Sequence, residues 1–515
     1  MAKPGSRFSG VATLLVVIAP LGWALYVHAT APILPYDDAF ITYRYVDHLV
    51  QGKGLVYNEG ERVFGSTTPL YLLLLASLRS ILDIPTPTLA VRLNGVFFAC
   101  SGLLVWVLLR RITASAPVAA FLAAALLVDP YLLAFSTGGM ESSLFVALVL
   151  CGFLALTHGK GRVFGWVAGL ATLTRPEGLL LLPWGALRFR SSKREMAWAA
   201  MSFALPVSAW ALFAVAYFGT VIPLSLVAKA KPLYPLDPGT ALVALTDYLS
   251  HWTAADPLPG EWLRAAIDWG VVLGLGGASL VDGDLRRRGS WCAVAFLWTL
   301  AAAYGAGNPM FFEWYWPMFQ VALLLATGTG IVAVARLLGS PLARRTLWAA
   351  AAAWIALVSL GPYLHTGEIR TPELLVRRNA SRLRVSAYEA AAQEINRVAG
   401  PSDVALATEI GSFGYSFRGK VLDSCGLVSP EAHRFLPVPK ELVLGPGFVG
   451  VPERLVLETR PEWVVTMPLF ASRSLLRSGD FARTYEQYRA IPLPLECWGN
   501  REILIFRRKL PPESR

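Results

Sequence analysis

Long apolar segments separated by short basic clusters dominate residues 1–364, and this pattern constrains the fold more than any other feature. The whole sequence is 55% hydrophobic and only 16% charged, with a mean hydropathy of +0.50. A soluble core cannot bury so much apolar surface. The net charge of +11 comes from clusters between apolar segments. It therefore indicates membrane topology and excludes a nucleic-acid-binding surface.

The basic residues also predict an orientation. Lys3 and Arg7 precede a first apolar segment that is long enough to span and lacks a good cleavage site. We therefore expect a retained helix in the plasma or inner membrane, with a cytoplasmic N-terminus. Basic clusters flank the segment 163–187 on both sides, so this segment must cross an even number of times. Pro176 and Gly178 end helices, and they predict two short helices here.

These rules predict about eleven passes and two domains. Besides the broken pair, the expected spans lie near residues 11–29, 92–109, 117–134, 142–157, 196–218, 266–281, 290–304, 310–335 and 346–364. Residues 1–364 then form a transmembrane domain, with a first loop at 30–91 that contains an interfacial helix at 69–82. Residues 365–515 are expected outside the cytoplasm as a mixed α/β domain. In that domain the pattern predicts a helix at 382–398 and strands at 404–408, 420–425, 463–467 and 502–507.

The five cysteines show no CxxC or metal-ligand spacing. Two of them, Cys425 and Cys497, lie in the C-terminal domain. An oxidising exterior permits a bridge between them, and free thiols are equally compatible with the sequence.

Two adjacent acids, Asp37 and Asp38, follow the first span. Ionisable residues are costly beside a bilayer core, so such a pair indicates a functional site. A single acid would be enough to mark the membrane interface. Within the helical run that starts there, Arg44 and His48 lie at i,i+4 spacing on a different stripe from Asp38. We therefore expect acid and base to face one cavity from two sides.

Five further charged residues are candidates, and each has a structural alternative. Glu141 either stabilises a helix dipole or contributes to the site. Arg175 and Glu177 either pair with each other at the helix break or contact substrate. Lys229 belongs either to a solvated loop or to a lipid-phosphate site. Glu313 lies in an aromatic segment. An aromatic belt at the membrane interface explains the rings of this segment, but it gives no structural reason for Glu313.

Several segments resemble GT-C glycosyltransferases. Within that superfamily they are most similar to mycobacterial-type terminal β-(1→2) arabinofuranosyltransferases. The resemblance rests on DDAFITYRY at 37–45 and GKGLVYNEGERV at 52–63, which look like a first outer loop of that family. The other similar segments, in the same order as in the family, are GMES at 139–142, LTRPEG at 173–178, the segment 217–229, GSFGY at 411–415 and the segment 421–428.

The resemblance implies an inverting membrane glycosyltransferase of cell-wall biogenesis. Its donor would be a polyprenyl-phosphate sugar, with arabinofuranose as one candidate, and its acceptor an extracytoplasmic glycan or glycoconjugate. An outer-loop Asp would act as the base, for which we favour Asp38 over Asp37. The leaving lipid phosphate needs a cation, which Lys229, Arg44 or Arg175 can supply. Asp37 either orients Arg44 or, with Glu141, holds a divalent cation; the ligand spacing is not diagnostic of a metal.

Two other classes of function compete with this reading. A transporter or flippase for lipid-linked sugars also uses intramembrane charges and broken helices. Against it, the two halves show no inverted repeat and a large domain follows the last span. A cell-envelope scaffold is the third possibility, and it has no need of acids at a cavity mouth.

Overall fold

The computed structural model describes residues 5–230, 233, 236–253, 260–364, 379–445 and 447–509. The helices up to residue 364 are α1 (Gly5–Thr30), α2 (Asp37–Val50), α3 (Pro69–Arg79), α4 (Thr86–Thr113), α5 (Ala116–Val128), α6 (Pro130–Ser136), α7 (Ser142–His158), α8 (Gly161–Thr174), α9 (Leu182–Phe189), α10 (Lys193–Phe218), α11 (Leu224–Ala230), α12 (Thr240–Thr253), α13 (Glu261–Val281), α14 (Gly283–Arg288), α15 (Trp291–Gly307), α16 (Trp316–Leu337) and α17 (Pro341–Leu364). The 3-10 segments Pro176–Leu181 and Glu313–Tyr315 precede α9 and α16.

Four helices of the described residues are long and apolar enough to cross a membrane: Thr86–Thr113, Lys193–Phe218, Trp262–Val281 and Glu313–Leu337. The bent pair α5 and α6 makes a fifth span if it crosses as one unit. Other apolar helices, such as Ser142–His158, are shorter. The protein is therefore multi-pass, and the expected eleven passes stay a prediction.

One predicted span differs from the observed helices, and one observed helix was not predicted. The span expected at 117–134 bends by 58° because Pro130 cannot continue the hydrogen-bond ladder and the Asp129 carboxylate accepts the Leu132 amide at the new start. Helix α12 was not predicted. The break expected in 163–187 is observed, since α8 ends at Thr174 and Arg175 adopts an extended conformation.

The C-terminal domain is mixed α/β, as predicted. Its five-stranded sheet has the order β2-β1-β5-β7-β6, with β1, β2 and β5 parallel and β6 and β7 antiparallel to their neighbours. Its strands are β1 (Val404–Ala407), β2 (Lys420–Asp423), β3 (Val443–Gly445), β4 (Phe448–Val449), β5 (Trp463–Thr466), β6 (Tyr485–Cys497) and β7 (Asn500–Arg508). Its helices are α18 (Ala380–Asn396), α19 (Gly411–Ser416), α20 (Glu453–Thr459), α21 (Pro468–Ala471) and α22 (Gly479–Thr484), with 3-10 turns at Pro430–Phe435, Lys440–Leu442 and Leu475–Arg477.

Two hydrophobic cores hold the chain together. The first lies among the long helices, where α16 is central. The second joins the first loop to the C-terminal domain, because Tyr43 and Tyr57 pack in the same cluster as Tyr388 and Trp463. Arg382 reinforces this junction, since its guanidinium donates to the carbonyls of the segment before α7. The first loop is therefore built into the C-terminal domain rather than standing apart from it.

Candidate active site

Asp37 anchors the first loop to the C-terminal domain. Its carboxylate accepts hydrogen bonds from the Gly411 amide at 2.9 Å, the Ser412 amide at 2.9 Å and the Ser412 hydroxyl at 2.8 Å. The side chain is 3% exposed. Both oxygens are thus engaged with the start of α19. This geometry makes Asp37 a positioning residue, and it corrects the expectation that Asp37 orients Arg44.

Asp38 has different surroundings from its neighbour. Among the described residues, no group donates a hydrogen bond to its carboxylate, and the side chain lines two cavities. Desolvation raises the pKa of Asp38 to about 6. This value already includes the nearby charges, of which Lys229 and Arg384 lower the pKa and Asp37 and Glu141 raise it. Asp38 is therefore a carboxylate with a free lone pair and a proton affinity suited to accepting a proton near neutral pH.

The two cavities meet at Asp38. The larger, about 640 Å³, lies between the first loop and the helices around the break at Arg175. The smaller, about 270 Å³, lies between the first loop, the aromatic segment at 310–314 and the C-terminal domain. The residues that line both are Asp38, Ile41, Lys229, Met310, Phe312, Trp314 and Leu427.

Arg175 joins two of the predicted acids in the larger cavity. Its Nη1 lies 2.6 Å from Glu141 and its Nη2 lies 2.8 Å from Glu177. Tyr304 donates to the same Glu177 oxygen at 2.6 Å. Two carboxylates therefore already neutralise the guanidinium. This ion triad holds the helix break in place and leaves Arg175 a poor partner for a phosphate.

Lys229 is the cation that faces Asp38. It lies near the end of α11, and its Nζ is 5.8 Å from the centroid of the Phe312 ring. The Leu224 amide at the start of α11 donates to the Phe64 carbonyl at 2.6 Å, which ties this helix to the first loop. No carboxylate forms an ion pair with Lys229 within the described ranges. Its charge is thus available at the junction of the cavities.

Glu313 lines the smaller cavity, as part of the 3-10 turn before α16. The side-chain amide of Asn379 donates to it at 3.2 Å. The predicted acid in the aromatic segment is therefore on the same cavity as Asp38.

Arg44 and His48 line neither of these two cavities, and their role in substrate binding stays a prediction. Arg44 donates to the backbone carbonyls of Tyr57 at 2.7 Å, Phe417 at 3.1 Å and Gly419 at 3.0 Å. His48 Nδ1 lies 3.0 Å from a carbonyl in the first loop. Both side chains are buried, and two of the carbonyls to which Arg44 donates belong to the C-terminal domain.

The C-terminal domain adds residues that the sequence analysis did not propose. Glu409 follows β1, and Asp423 ends β2, so both lie at the carboxyl edge of parallel strands, where ligand sites are common. Both line the smaller cavity, together with Arg384, whose Nη2 is 2.8 Å from Glu409. Burial raises the pKa of Glu409 to about 7 and that of Asp423 to about 6. The sequence did contain a signal for these two residues, since Glu409 and Asp423 are acids at the ends of predicted strands.

The arrangement gives no support to a bound divalent cation. Within the part of the chain that the structure describes, no group of three or more His, Cys, Asp or Glu side chains is placed to hold a metal ion. Asp37 is engaged with backbone amides, and Glu141 with Arg175. Asp37 and Glu141 therefore each have other partners in this structure, and a divalent cation held by them stays a prediction. Cys425 and Cys497 are free thiols in this structure.

Comparisons with known proteins bear on the fold. Residues 376–506 match a family described as "Domain of unknown function (DUF8728)". No curated protein sequence matches the chain. Two solved structures are similar with TM-scores below 0.5: an oligosaccharyltransferase from Archaeoglobus fulgidus, at 0.46 and 10% identity over 94% of this chain and 73% of that one, and the arabinofuranosyltransferase AftD from Mycobacteria, at 0.45 and 12% identity over 98% of this chain and 40% of that one.

The informative likeness is to ArnT from Cupriavidus metallidurans, solved in its apo state. The TM-score is 0.57 at 12% identity, over 97% of this chain and 98% of that chain. At this identity the likeness concerns the fold. The chain therefore shares the overall fold of that ArnT, and its C-terminal domain contains a sheet, as the sequence predicted.

Proposed function

We propose that this chain is an inverting glycosyltransferase that moves a sugar from a polyprenyl-phosphate donor to a hydroxyl of an extracytoplasmic glycan or glycoconjugate. One observation carries the proposal: the half-buried Asp38 carboxylate, which accepts no hydrogen bond from the described residues, lies where two cavities meet, beside Lys229. A transferase with two substrates needs a base at the point where both reach it.

The larger cavity suits the lipid-linked donor. It contains the charged groups of the Arg175 triad and, at its edge, the apolar residues Leu179 and Leu226, which are 47% and 38% exposed. Exposed apolar side chains beside a polar cavity match a ligand with a prenyl chain and a sugar headgroup. The acids Glu141 and Glu177 can accept hydrogen bonds from sugar hydroxyls.

In the proposed reaction the acceptor hydroxyl enters from the smaller cavity. Asp38 accepts its proton while the hydroxyl oxygen forms a bond to the anomeric carbon. The bond between that carbon and the phosphate oxygen breaks on the opposite face, and polyprenyl phosphate leaves with the bonding electrons. Lys229 stabilises the negative charge of the phosphate. A phosphate leaving group needs no proton, so one base and one cation are sufficient.

The finer assignments belong to the same proposal. Arabinofuranose is one candidate sugar, on the residues of the first loop that resemble arabinofuranosyltransferases. The chain would act in the plasma or inner membrane, during cell-wall biogenesis. Lys3 and Arg7 support a cytoplasmic N-terminus, which puts both cavities on the extracytoplasmic side.

The test is a transfer assay with purified protein in proteoliposomes. Polyprenyl-phosphate arabinofuranose and other polyprenyl-phosphate sugars, each with a radiolabelled sugar, are offered with oligosaccharide acceptors. We expect the wild type to release polyprenyl phosphate and label an acceptor. Asp38→Asn should remain folded but lose about 10²–10⁴-fold in turnover. Asp83 is an exposed acid in the same loop, and Asp83→Asn should retain full activity.

Two results would contradict the proposal. Full activity of Asp38→Asn would exclude this residue as the base. Movement of the labelled lipid between leaflets, with no release of polyprenyl phosphate for any donor, would support the transporter instead.

A further inference from the structure

Trp498 has an unusual backbone conformation beside the smaller cavity. It lies in the turn between β6 and β7 with φ at +51°, a left-handed value that is strained for a bulky residue. Asn500 holds this turn, because its amide group donates to the Cys497 and Trp498 carbonyls at 3.1 and 3.0 Å and its Oδ1 accepts the Leu469 amide. Strain of this kind at a cavity suggests that the position of the side chain matters.

The Trp498 ring lines the cavity as part of an aromatic wall. The Arg384 guanidinium lies 4.5 Å from its centroid, and Phe448 meets it edge-on at 5.0 Å. The residue is 37% exposed, whereas Arg384 beneath it is buried. The ring is thus supported by fixed neighbours and still accessible from the cavity.

The other groups around this cavity disfavour an anionic ligand. The charged lining residues are the acids Asp37, Asp38, Glu313, Glu409 and Asp423 and the cations Lys229 and Arg384. Arg384 is paired with Glu409 at 2.8 Å. Within the described residues, this leaves Lys229 as the lining cation without a carboxylate partner, and the proposed reaction uses it for the donor phosphate.

We propose, on the basis of the glycosyltransferase function above, that the smaller cavity binds the acceptor through an uncharged sugar ring stacked on Trp498. The C–H face of a sugar ring carries partial positive charge and packs on the negative face of an indole. Glu409 and Glu313 accept hydrogen bonds from its hydroxyls. A phosphorylated or uronic-acid ring would place its charge among these acids, and the cavity therefore selects against it.

The first experiment measures binding without turnover. A neutral methyl disaccharide carrying a diazirine, and the matched disaccharide with a uronic acid, are photo-crosslinked to the full chain in nanodiscs, and the labelled peptides are mapped by mass spectrometry. We expect the neutral probe to label peptides that contain Trp498 or Phe448, at least roughly tenfold more than the uronate does. Equal labelling by both probes, or labelling elsewhere, would overturn the proposal.

The second experiment uses the transfer assay and three variants. Trp498→Ala should raise the acceptor KM roughly tenfold while the hydrolysis of donor by water changes less than twofold. Trp498→Tyr keeps a flat ring, so its acceptor KM should stay close to that of the wild type. Trp262→Ala removes a 91% exposed tryptophan outside both cavities and should change neither quantity. An unchanged acceptor KM in Trp498→Ala would refute the role of the ring.

The two experiments separate the proposals. If no donor is consumed, the glycosyltransferase proposal fails, and the crosslinking map still decides whether the cavity binds a neutral sugar. If Trp498→Ala does not fold, Trp498→Tyr and the wild-type map decide the question.

Discussion

Ser412 donates two hydrogen bonds to the same oxygen of Asp37, from its amide at 2.9 Å and from its hydroxyl at 2.8 Å. The residue that follows Asp37 is the proposed base, so this contact sets the position of Asp38 relative to both cavities. Adjacent acids therefore have separate tasks, with one fixing the loop and the other left open to substrate.

Removing the anchor should cost stability as well as activity. Asp37→Ala leaves the Gly411 and Ser412 amides buried without an acceptor, and we expect it to lower the free energy of unfolding by about 2–3 kcal/mol. Ser412→Ala removes one of three hydrogen bonds and should cost about 1 kcal/mol. Thermal or chemical unfolding in nanodiscs measures both. Equal stability of Asp37→Ala and the wild type would contradict the anchoring role.

The rate of transfer should depend on the ionisation of Asp38. Since its pKa is about 6, kcat/KM should rise as pH increases through about 6 and then level off. Asp38→Asn should lose about 10²–10⁴-fold in kcat. The measurement is a pH profile at saturating donor. A flat profile from about pH 5 to 8 would argue against a base with this pKa.

Asp38→Asn should also be more stable than the wild type in neutral solution. Burial raises the carboxyl pKa in the folded protein from 3.8 to about 6, so the folded state holds the proton more tightly than the unfolded state. The wild type therefore loses stability as pH rises from about 4 to about 6, keeps that deficit at higher pH, and shows no deficit below about pH 4. We expect the variant to melt roughly 2–4 °C higher at pH about 8 and equally at pH about 4. A lower melting temperature at pH about 8 would contradict the desolvation of Asp38.

Lys229 should act on the donor rather than on the fold. Lys229→Gln removes the charge beside Asp38, and we expect kcat/KM for the donor to fall about 10–100-fold with little change in melting temperature. Lys229→Arg should retain a larger part of the activity. Lys53→Gln, which removes an exposed lysine paired with Glu59, is the control. An effect confined to the acceptor KM would show that Lys229 acts on the acceptor and not on the donor.

The Arg175 triad should be among the most sensitive sites for stability. Arg175→Met leaves Glu141 and Glu177 buried without their common counter-charge, and we expect a loss of about 3–5 kcal/mol. Arg288→Met, which breaks an exposed ion pair with Asp284, should cost less than about 1 kcal/mol. Unfolding midpoints of both variants test this. Similar midpoints would show that the triad is not needed for the break between α8 and the following turn.

Local sequence signals predicted the features that depend on neighbouring residues. The break at Arg175 follows from Pro176 and Gly178, which end helices wherever they stand. The strands at 404–408, 420–425 and 463–467 were predicted within a residue or two of the observed β1, β2 and β5. The acids at Asp38 and Glu141 were found because charges beside apolar segments are costly.

Long-range packing decided what the sequence could not show. Helical spacing correctly put Arg44 and His48 on one stripe of α2, but it does not say what covers that stripe. The covering groups are carbonyls of Phe417 and Gly419, 373 and 375 residues away in the chain. The same holds for Trp498, since a left-handed turn at a tryptophan follows from the contacts of Asn500 and not from local propensity.

The sharing of one hydrophobic core by the first loop and the C-terminal domain has a consequence for biosynthesis. Asp37 leaves the ribosome early, and the Gly411 amide that donates a hydrogen bond to it is made 374 residues later. Until then Tyr43 and Tyr57 lack the part of their hydrophobic cluster that the C-terminal domain supplies. The first loop therefore cannot complete its hydrophobic core until the C-terminal domain has been made.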